Sequence, residues 1–424
     1  TAANPPAPAP REVCPPPPPP TTATPPRQPA APPAPVATKT GTPPAPAEDS
    51  ASRPVIPQVA LPDGLKVTPW KHQLAGYWVG MHALQSQNAF VLNAEMATGK
   101  TLIATMCAMG RGARRVLVVC PLRVIGGKSG GWVRQLGEYL DEPPVLAILD
   151  DKAGTAPKRA VLAQQCADLA KASGRMLWVL VNYDSFWRGE LAEWILGQKW
   201  DMVIYDEVHK IKSPGGKSSM FAKRLVSVSR DRIGASGTIF AHSPLDIYAE
   251  CRALAPWIFG PSYAAFKQRY AKLGGPDRKW VIGYQNVDHL EKKIAPITYR
   301  VTKREALPDL PEQIDVEYST EFGAEAARIY RQLDQDLIAE VREGKIVTAA
   351  NAMVKSLRLQ QLTGGAIPTE DGHHHLLDDS KRKLLQDTLE DLGDQPVVVF
   401  ARFRSDIDAR SEERRVGKEC RSRW

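Results

Sequence analysis

A short motif, AEMATGKT at residues 94–101, constrains the fold of this chain more than any other part of its sequence. An apolar run, 90–92, precedes it, and a helix-compatible run, 102–109, follows it. A strand, a loop and a helix in this order form the context of a phosphate-binding loop, whose backbone N–H groups and helix N-terminus bind phosphate oxygens. The motif predicts a nucleoside triphosphate site with Lys100 at the β- and γ-phosphates and Thr101 on Mg²⁺.

Further apolar runs alternate with helix-compatible stretches such as 158–172 and 191–196. Such alternation indicates an α/β fold with a parallel sheet. Ligands of these sheets bind beyond the carboxyl ends of the strands, so we expect the chemistry directly after each apolar run. The predicted strands are 90–92, 116–120, 145–149, 176–181, 202–205 and 232–235.

Acidic residues follow the predicted strand that ends at Tyr205. Asp206 is a candidate Mg²⁺ ligand, directly or through water. Glu207 is a candidate base for the attacking water, and His209 a candidate link to neighbouring motifs. An exposed Asp-Glu pair is more often a solvated turn, but here a buried strand delivers it 106 residues after Lys100.

Two weaker signals flank these motifs. Ser236 and Thr238 follow another short strand, where their hydroxyls are placed to bond the Asp-Glu-x-His segment; the alternative is an ordinary Gly-Ser turn. Gln73 lies in a helix-like run before the loop, and its amide is suited to the adenine edge or simply to a helix surface. Position alone leaves both interpretations of Gln73 open.

The first sixty residues differ from the rest, because 22 of the 37 prolines lie at or before Pro62. A segment rich in Pro, Ala and Thr has too few apolar residues to offset chain entropy, so we expect residues 1–60 to be disordered. A spacer is the favoured role, and a ligand for a proline-binding protein partner is the alternative.

Charge and cysteine usage bound the function only loosely. A net charge of +8 permits a nucleic-acid partner without demanding one. The six cysteines form no CxxC pair, which is typical of a reduced compartment, and no apolar run is long enough to span a membrane. We therefore expect a cytoplasmic protein with no membrane partner.

Six segments in order carry a family likeness: AEMATGKT, VLVVCPLRV, VLVNYDSFW, DEVHKIKSPGGKSS, ASGTIFAHSPLDIYAE and LRLQQLTGG. Together they resemble the motor of Swi/Snf-like DNA translocases, within the superfamily 2 helicase-like ATPases, in the style of bacterial and phage members. The resemblance covers about residues 67–408. It implies two RecA-like lobes with ATP between them and double-stranded DNA across both.

The resemblance also assigns residues. It implies nucleotide and Mg²⁺ binding by three motifs, and it favours the adenine role of Gln73. These are motif I (Gly99, Lys100 and Thr101), motif II (Asp206, Glu207 and His209) and motif III (Ser236, Gly237 and Thr238). It implies DNA contacts at motif Ia, Pro121 and Arg123, and suggests phosphate contacts at Lys210 and Lys212, whose alternative is a solvated loop. The implied nucleotide-site residues are Gln73, Ala94, Thr98, Gly99, Lys100, Thr101, Asp206, Glu207, His209, Ser236 and Thr238.

Three positions depart from the family pattern without removing a catalytic group. Ala97 replaces a usual glycine of motif I, so its methyl is expected to crowd the loop. Val208 replaces a small alanine, and Ile239 a proline. The histidines at 373–375 have no ligand spacing around them and predict an exposed loop.

The second half is expected to be helical, over 324–343, 349–362 and from Ser380, with a buried strand at 396–400 matching motif IV. We divide the chain into a disordered segment 1–60, a RecA-like lobe 61–262, a helical linker 263–380 and a partial second RecA-like lobe 381–409. Residues 410–424 resemble a translated sequencing adapter, and a genuine basic tail is the alternative. This predicts that lobe two is incomplete and that the chain hydrolyses ATP poorly, since arginines of that lobe are worth about 10³–10⁵ in rate in related NTPases.

The leading functional hypothesis is an ATP-driven motor that moves along duplex DNA. A strand-separating DNA helicase is the alternative within the same enzyme class. A nucleotide-gated DNA-binding or scaffold protein without productive hydrolysis is the alternative from another class.

Overall fold

A computed structural model describes residues 59–126, 131–238, 243–275, 280–311, 313–342, 349–368, 374–403 and 405–407. The chain divides into two units, one of residues 44–312 and one that contains residues 313–424. Of the predicted disordered segment 1–60, residues 1–58 lie outside the described residues, as does the whole of 410–424.

The first unit is built on a seven-stranded parallel sheet in the order β3-β4-β2-β5-β6-β1-β9. A separate antiparallel hairpin, β7–β8, lies between the sixth and seventh strands in the sequence. The strands of this unit are β1 Ala89–Ala94, β2 Arg115–Cys120, β3 Val145–Leu149, β4 Leu177–Asn182, β5 Trp200–Asp206, β6 Ser229–Ser236, β7 Ala271–Gly274, β8 Trp280–Tyr284 and β9 Thr298–Val301.

Eleven helices of the described part of this unit connect the strands. They are α1 Lys71–Gln87, α2 Lys100–Gly110, α3 Leu122–Ile125, α4 Trp132–Tyr139, α5 Ala156–Ser173, α6 Gly189–Gly197, α7 Lys217–Leu225, α8 Ile247–Leu254, α9 Tyr263–Tyr270, α10 Val287–Ile294 and α11 Lys303–Ala306. All six predicted strands and both predicted inter-strand helices are confirmed, so the α/β class inferred from alternation is correct.

The central strands are buried because helices cover both faces of the sheet. Every residue of β4 is buried, and so are five of the six residues of β1. This explains why the strands read as continuous apolar runs rather than alternating ones. Burial of each large aliphatic side chain stabilises the fold by about 1.5–3 kcal/mol, which fixes the strands that carry the site.

Close packing of α1 on the sheet depends on a glycine. A Cβ at Gly80 would lie 2.7 Å from the Cys107 sulfur and 2.8 Å from the Phe90 ring. Only glycine allows α1 to approach α2 and β1 this closely. The start of α1, which carries Gln73, is thereby held near the loop that follows β1.

The sheet continues beyond residue 262, where the sequence analysis ended the first lobe. β9 pairs with β1 through Val91↔Thr298 to Ala94↔Val301. The Tyr299 hydroxyl donates a hydrogen bond of 2.8 Å to the His72 carbonyl, which ties this edge strand to α1. The isolated four-residue strand has too little pattern to be found without its partner.

The second unit is described over α12 Ala324–Arg342, α13 Ala349–Thr363, β10 Ala366–Pro368, β11 His374–Leu376 and α14 Ser380–Leu392. The predicted helices are confirmed. His374 and His375 lie in β11 rather than in a loop, and His373 lies outside the described residues.

The predicted buried strand at 396–400 is wrong. The structure has no strand there, and the Val398 and Phe400 side chains are 77% and 92% exposed. A strand exists only when a neighbour satisfies its backbone groups, and the described residues of this unit form only the two-stranded sheet of β10 and β11. An apolar run alone cannot supply that neighbour.

One helix of the first unit buries an acid. Glu250 lies on α8, is 1% exposed, and neither of its carboxylate oxygens has a hydrogen-bond partner among the described residues. Burial raises the pKa of Glu250 well above its ordinary value, Asp246 raises it further and Lys212 opposes the rise. The carboxyl is therefore protonated in the folded chain at a pH where it ionises in the unfolded chain.

This buried acid predicts a pH-dependent stability. The stability that Glu250 contributes in its protonated form is full below its unfolded pKa and is lost as pH rises toward the folded pKa. Glu250→Gln removes that loss, so we expect its melting temperature to exceed that of the parent at pH 8, by about 2–4 °C for each kcal/mol gained. The gain should shrink toward pH 4.5, as followed by circular dichroism.

The matched control is Glu193→Gln, because Glu193 is an exposed acid on α6. It should leave the melting temperature unchanged at both pH values. An equal gain for Glu250→Gln at every pH would contradict the assignment of a buried, protonated carboxyl.

Candidate nucleotide site

The loop between β1 and α2 is a compact turn closed by its own backbone. The Thr98 N–H donates to the Glu95 carbonyl at 3.4 Å, and the Thr98 hydroxyl donates to the same oxygen at 2.8 Å. Thr98 is fully buried, so it acts as an internal brace of the loop. Gly99, with φ +87°, ends the turn and caps α2.

Lys100 lies at the first position of α2 and folds back over the loop. Its ammonium donates to the Ala94 carbonyl at 3.0 Å and to the Glu95 carbonyl at 3.3 Å. Two neutral carbonyls are weaker partners for an ammonium than phosphate oxygens, since charge-assisted hydrogen bonds are about twice as strong. The side chain is thus placed to exchange these partners for a phosphate.

Gln73 from α1 packs directly on the loop. Its amide nitrogen donates to the Thr98 carbonyl at 3.3 Å, and its amide oxygen accepts from the Trp70 N–H at 2.9 Å. A Cβ at Gly99 would lie 2.2 Å from the Gln73 amide nitrogen, so this contact requires glycine. The predicted role of Gln73 at the adenine edge stays a prediction.

His72 also contacts the loop, although no local sequence pattern marks it. Its Nε2 lies 2.8 Å from the Thr98 carbonyl, and its ring meets the exposed Trp70 ring edge-on at 5.8 Å between centroids. The loop is therefore held from outside by two consecutive side chains of α1. Finding His72 required knowing where α1 begins relative to β1.

Asp206, at the carboxyl end of β5, is held by two aromatic residues. The Trp132 indole N–H donates to its Oδ2 at 2.9 Å, and the Tyr183 hydroxyl donates to its backbone carbonyl at 2.8 Å. Burial raises the pKa of Asp206, while the bond from Trp132 and the nearby Lys100 ammonium oppose the rise. Trp132 and Tyr183 come from distant segments, so the sequence did not single them out as partners of Asp206.

These residues also fit a magnesium ion. Mg²⁺ prefers oxygen ligands and is held in proteins by few carboxylates together with substrate phosphates. The Asp206 carboxylate and the Thr101 hydroxyl supply such oxygens, and both follow parallel strands, β5 and β1, that are separated in the sheet only by β6. Among the described residues, no group of three or more His, Cys, Asp or Glu forms a separate metal centre.

Glu207, His209 and Ser236 form one hydrogen-bonded cluster. The Ser236 hydroxyl lies 3.0 Å from His209 Nδ1 and 3.3 Å from Glu207 Oε2, and His209 Nδ1 lies 3.3 Å from the same Glu207 oxygen. The contact between the Asp-Glu-x-His segment and the Ser-Gly-Thr segment is therefore present. Its role in reporting the γ-phosphate stays a prediction.

The Ser-Gly-Thr segment also lies against the phosphate loop. A Cβ at Gly237 would be in ordinary contact with backbone atoms of Ala94, Glu95 and Met96, at 3.7–3.9 Å. The Thr238 N–H donates to the Ser236 hydroxyl at 3.2 Å. The three motifs thus meet at one edge of the sheet, because β5, β6 and β1 are neighbours and all parallel.

Two residues of the site have left-handed backbone conformations, which strain residues other than glycine. Ala97 has φ 66° and Glu207 has φ 57°. A left-handed residue with a Cβ costs about 1–2 kcal/mol. The substitution at Ala97 therefore strains the loop backbone itself, in addition to the crowding that its methyl was expected to cause.

The other two departures from the family pattern are at residues 208 and 239. Val208 is fully buried, and its Cγ2 lies 3.2 Å from the position of a Cβ at Gly234. The larger side chain at 208 therefore packs against a glycine of β6. Ile239 lies outside the described residues.

The candidate DNA contacts lie on exposed turns after the strands. Pro121 caps the short α3 after β2, and Arg123 on α3 is exposed. Lys210 is exposed, whereas Lys212 is half-buried with its ammonium 4.0 Å from the Asp246 carboxylate. Lys212 is therefore placed as much for this ion pair as for a phosphate.

A further basic pair was not predicted. The Arg188 guanidinium and the Lys217 ammonium lie 4.8 and 5.3 Å from the centre of the Trp187 ring. The Trp187 indole N–H and the Ser218 hydroxyl both donate to the Tyr183 carbonyl, which ties this group to the residue that holds Asp206. Because residues 187–188 and 217–218 are far apart in the sequence, the sequence alone did not indicate that they lie together.

The loop geometry predicts opposite effects of two reciprocal substitutions. Gly99→Ala forces a methyl onto the Gln73 amide in a left-handed residue and should lower the free energy of unfolding by at least about 1–2 kcal/mol. Ala97→Gly removes strain of about that size but adds unfolded-chain entropy worth about 0.4–1 kcal/mol, so its stability should stay within about 1 kcal/mol of the parent. Urea unfolding measures both, and a Gly99→Ala chain as stable as the parent would contradict this geometry.

Comparison with known proteins places the chain in a family. The SNF2-related domain matches residues 72–364. The chain is 24% identical to the chromodomain-helicase-DNA-binding protein 1-like of Danio rerio over 354 residues, 80% of this chain and 32% of that protein. It is 25% identical to the putative protein p41 of Acyrthosiphon pisum secondary endosymbiont phage 1 over 248 residues, 54% of this chain and 51% of that protein.

Among solved structures, the Sulfolobus solfataricus SWI2/SNF2 ATPase core in complex with dsDNA is similar, with a TM-score of 0.46 and 20% identity, over 79% of this chain and 67% of that one. The chain spans about a third and about a half of the length of the two curated relatives. Since the family match covers more than half of the 424 residues, and the three motifs meet as described, this chain belongs to the SNF2-related domain family.

Proposed function

We propose that this chain carries the ATP-binding lobe of a motor that hydrolyses ATP with Mg²⁺ and moves along double-stranded DNA. The observation that carries the proposal is the meeting of Lys100, Asp206 and the Glu207–His209–Ser236 cluster at one edge of the sheet. Membership of the SNF2-related family supports the same conclusion. The Swi/Snf-like, superfamily 2 assignment of the sequence analysis agrees with it.

In the proposed mechanism, Lys100 and the backbone N–H groups at the start of α2 bind the β- and γ-phosphates of ATP. Thr101 and Asp206 would hold Mg²⁺, and the ion would supply positive charge to the phosphate groups. Glu207 orients the attacking water and accepts its proton. Ala94, Thr98 and Gly99 shape the loop, and Gln73 contacts the adenine.

The hydrogen bonds of Ser236 form the proposed route by which hydrolysis of the nucleotide moves other parts of the motor. Ser236 joins Glu207 and His209 on one side to Thr238 on the other. A shift of Glu207 when the γ-phosphate leaves would therefore displace the segment after β6. In this role His209, Ser236 and Thr238 are positioning residues rather than groups that react.

The proposed DNA track follows the turns after β2 and β5. Pro121 and Arg123 are proposed to contact a DNA strand, Lys210 and Lys212 are the proposed phosphate contacts, and Arg188 and Lys217 extend the basic surface. Contacts of this type neutralise backbone charge without reading sequence, as a motor that moves along DNA requires.

The remaining predictions stay proposals. The described part of the chain contains no helix long and apolar enough to cross a membrane. ATP and DNA as substrates favour the cytoplasm of a bacterial or phage-infected cell, and the proline-rich residues 1–60 are proposed to act as a spacer or to bind a protein partner. The bounds 61–262, 263–380 and 381–409 are likewise proposed.

Lys100→Ala tests the nucleotide site. Loss of a charge-assisted contact worth about 1.5–3 kcal/mol should weaken binding of a fluorescent ATP analogue about 10- to 100-fold. Lys158→Ala, an exposed lysine on α5, is the matched control and should bind the analogue like the parent. Binding of the analogue by Lys100→Ala with the affinity of the parent would refute the assignment.

Ser236→Ala tests whether Ser236 couples nucleotide binding to hydrolysis. If Ser236 couples the two motifs, the variant should bind the ATP analogue within about twofold of the parent while single-turnover hydrolysis falls about 3- to 30-fold, the range of a coupling of about 0.5–2 kcal/mol. Ser227→Ala removes an exposed hydroxyl and serves as the control. Equal loss of binding and hydrolysis in Ser236→Ala would mean that Ser236 supports the fold of the site and does not couple it.

A further inference from the structure

The hairpin β7–β8 presents large apolar side chains to solvent. Trp280 and Ile282 are each 69% exposed, and Val281 and Tyr284 are each 39% exposed. Four such residues in five consecutive positions form an exposed apolar surface, which marks an interaction site more often than scattered single residues do. We call residues 271–275 and 280–284 the exposed hairpin.

The exposed hairpin is anchored at its base. The Gln285 N–H donates to the Tyr270 carbonyl at 3.0 Å, and the Asn286 side chain donates to the Arg269 carbonyl at 2.8 Å. The Tyr270 hydroxyl lies 2.9 Å from His289 Nδ1, and the two rings are stacked. The strands therefore leave the body of the unit in a fixed direction.

One face of the Trp280 ring rests on a glycine. A Cβ at Gly275 would lie 3.1 Å from the Trp280 ring, so glycine is needed for this contact. On the same hairpin Ile282 packs over Gly274, where a Cβ would lie 2.9 Å from its Cδ1. With 69% of the residue exposed, the Trp280 ring is held in place on one side and open on the other.

The surroundings of the exposed hairpin are basic. The described residues between Tyr263 and Ile294 include five basic and two acidic ones, a net charge of +3. Lys272 of β7 is exposed beside the apolar residues. A polyanion with flat apolar faces fits such a surface better than an apolar protein does, and exposed nucleic-acid bases have that chemistry.

We propose that the exposed hairpin binds unpaired bases of DNA, with Trp280 stacking on a base and Lys272 next to the backbone phosphates. The proposal rests on the proposed function, which supplies DNA as the substrate. It adds a substrate preference: the protein binds DNA with unpaired bases beside a duplex, such as a fork, more tightly than a blunt duplex. Paired bases are buried in the stack, so a blunt duplex offers no face to Trp280.

The test measures binding of the full chain by fluorescence anisotropy to a blunt duplex, to the same duplex with a splayed end, and to one of its single strands. The parent should bind the forked probe about tenfold more tightly than the blunt duplex, which is the range of one stacked base. Trp280→Ala should lose that preference and also weaken single-strand binding about tenfold, while its affinity for the blunt duplex stays unchanged. Trp280→Phe should keep most of the preference, because it keeps a stacking face.

A 2-aminopurine base in the splayed arm gives a direct readout of stacking. Its fluorescence should change on binding the parent and should not change on binding Trp280→Ala. Trp257→Ala is the matched control, since Trp257 is an exposed tryptophan outside the exposed hairpin, and it should behave like the parent. Melting temperatures of the three variants check that each is folded.

The outcomes separate this inference from the proposed function. Arg123→Ala should weaken binding to the blunt and forked probes by the same factor. If the parent binds the blunt duplex but shows no preference for the fork, or if Trp280→Ala binds all probes as the parent does, the exposed hairpin serves another partner and the inference is wrong. If the parent binds none of the probes, the proposed function itself fails.

Discussion

The parallel alignment of β5, β6 and β1 is the constraint on which the rest of the site depends. Their carboxyl ends lie side by side because Asp206 pairs with Ala235, and Asn93 with Ser236. Segments 206–209 and 236–238 are thereby brought beside segment 94–101, which lies more than a hundred residues earlier in the sequence. A residue added to or removed from any of the three strands would turn its side chains to the opposite face and separate the motifs.

At that edge of the sheet, two residues have strained backbone conformations and one carboxyl is partly buried. Neighbouring residues compensate for these costs. Ala97 and Glu207 are held in left-handed conformations, and Asp206 is partly buried. The Trp132 indole donates a hydrogen bond to the Asp206 carboxylate and offsets part of the cost of burying it, while the Tyr183 hydroxyl donates to the Asp206 backbone carbonyl and holds the strand end in place. Local strain that the surrounding structure maintains is typical of functional sites.

Much of the fold could be predicted because its signals are local. The six strands and the helices between them each carry their own apolar pattern, so residues such as 116–120 are assigned without knowledge of their neighbours. The two strand assignments that failed depend on pairing between segments that are distant in the sequence. The run 396–400 has a strand-like composition but no pairing partner among the described residues, whereas β9 has little pattern and is a strand because β1 pairs with it.

The sequence by itself determined the chemistry of the site: a lysine and a hydroxyl at the start of a helix, an Asp-Glu pair after a strand, and a serine after another. Residue type and spacing suffice for this, because each motif is built within a few residues. Only the tertiary structure decided which groups hold these residues. The bonds of His72 to the loop and of Trp132 to Asp206, and the open face of Trp280, depend on how distant segments pack, and no local pattern records that packing.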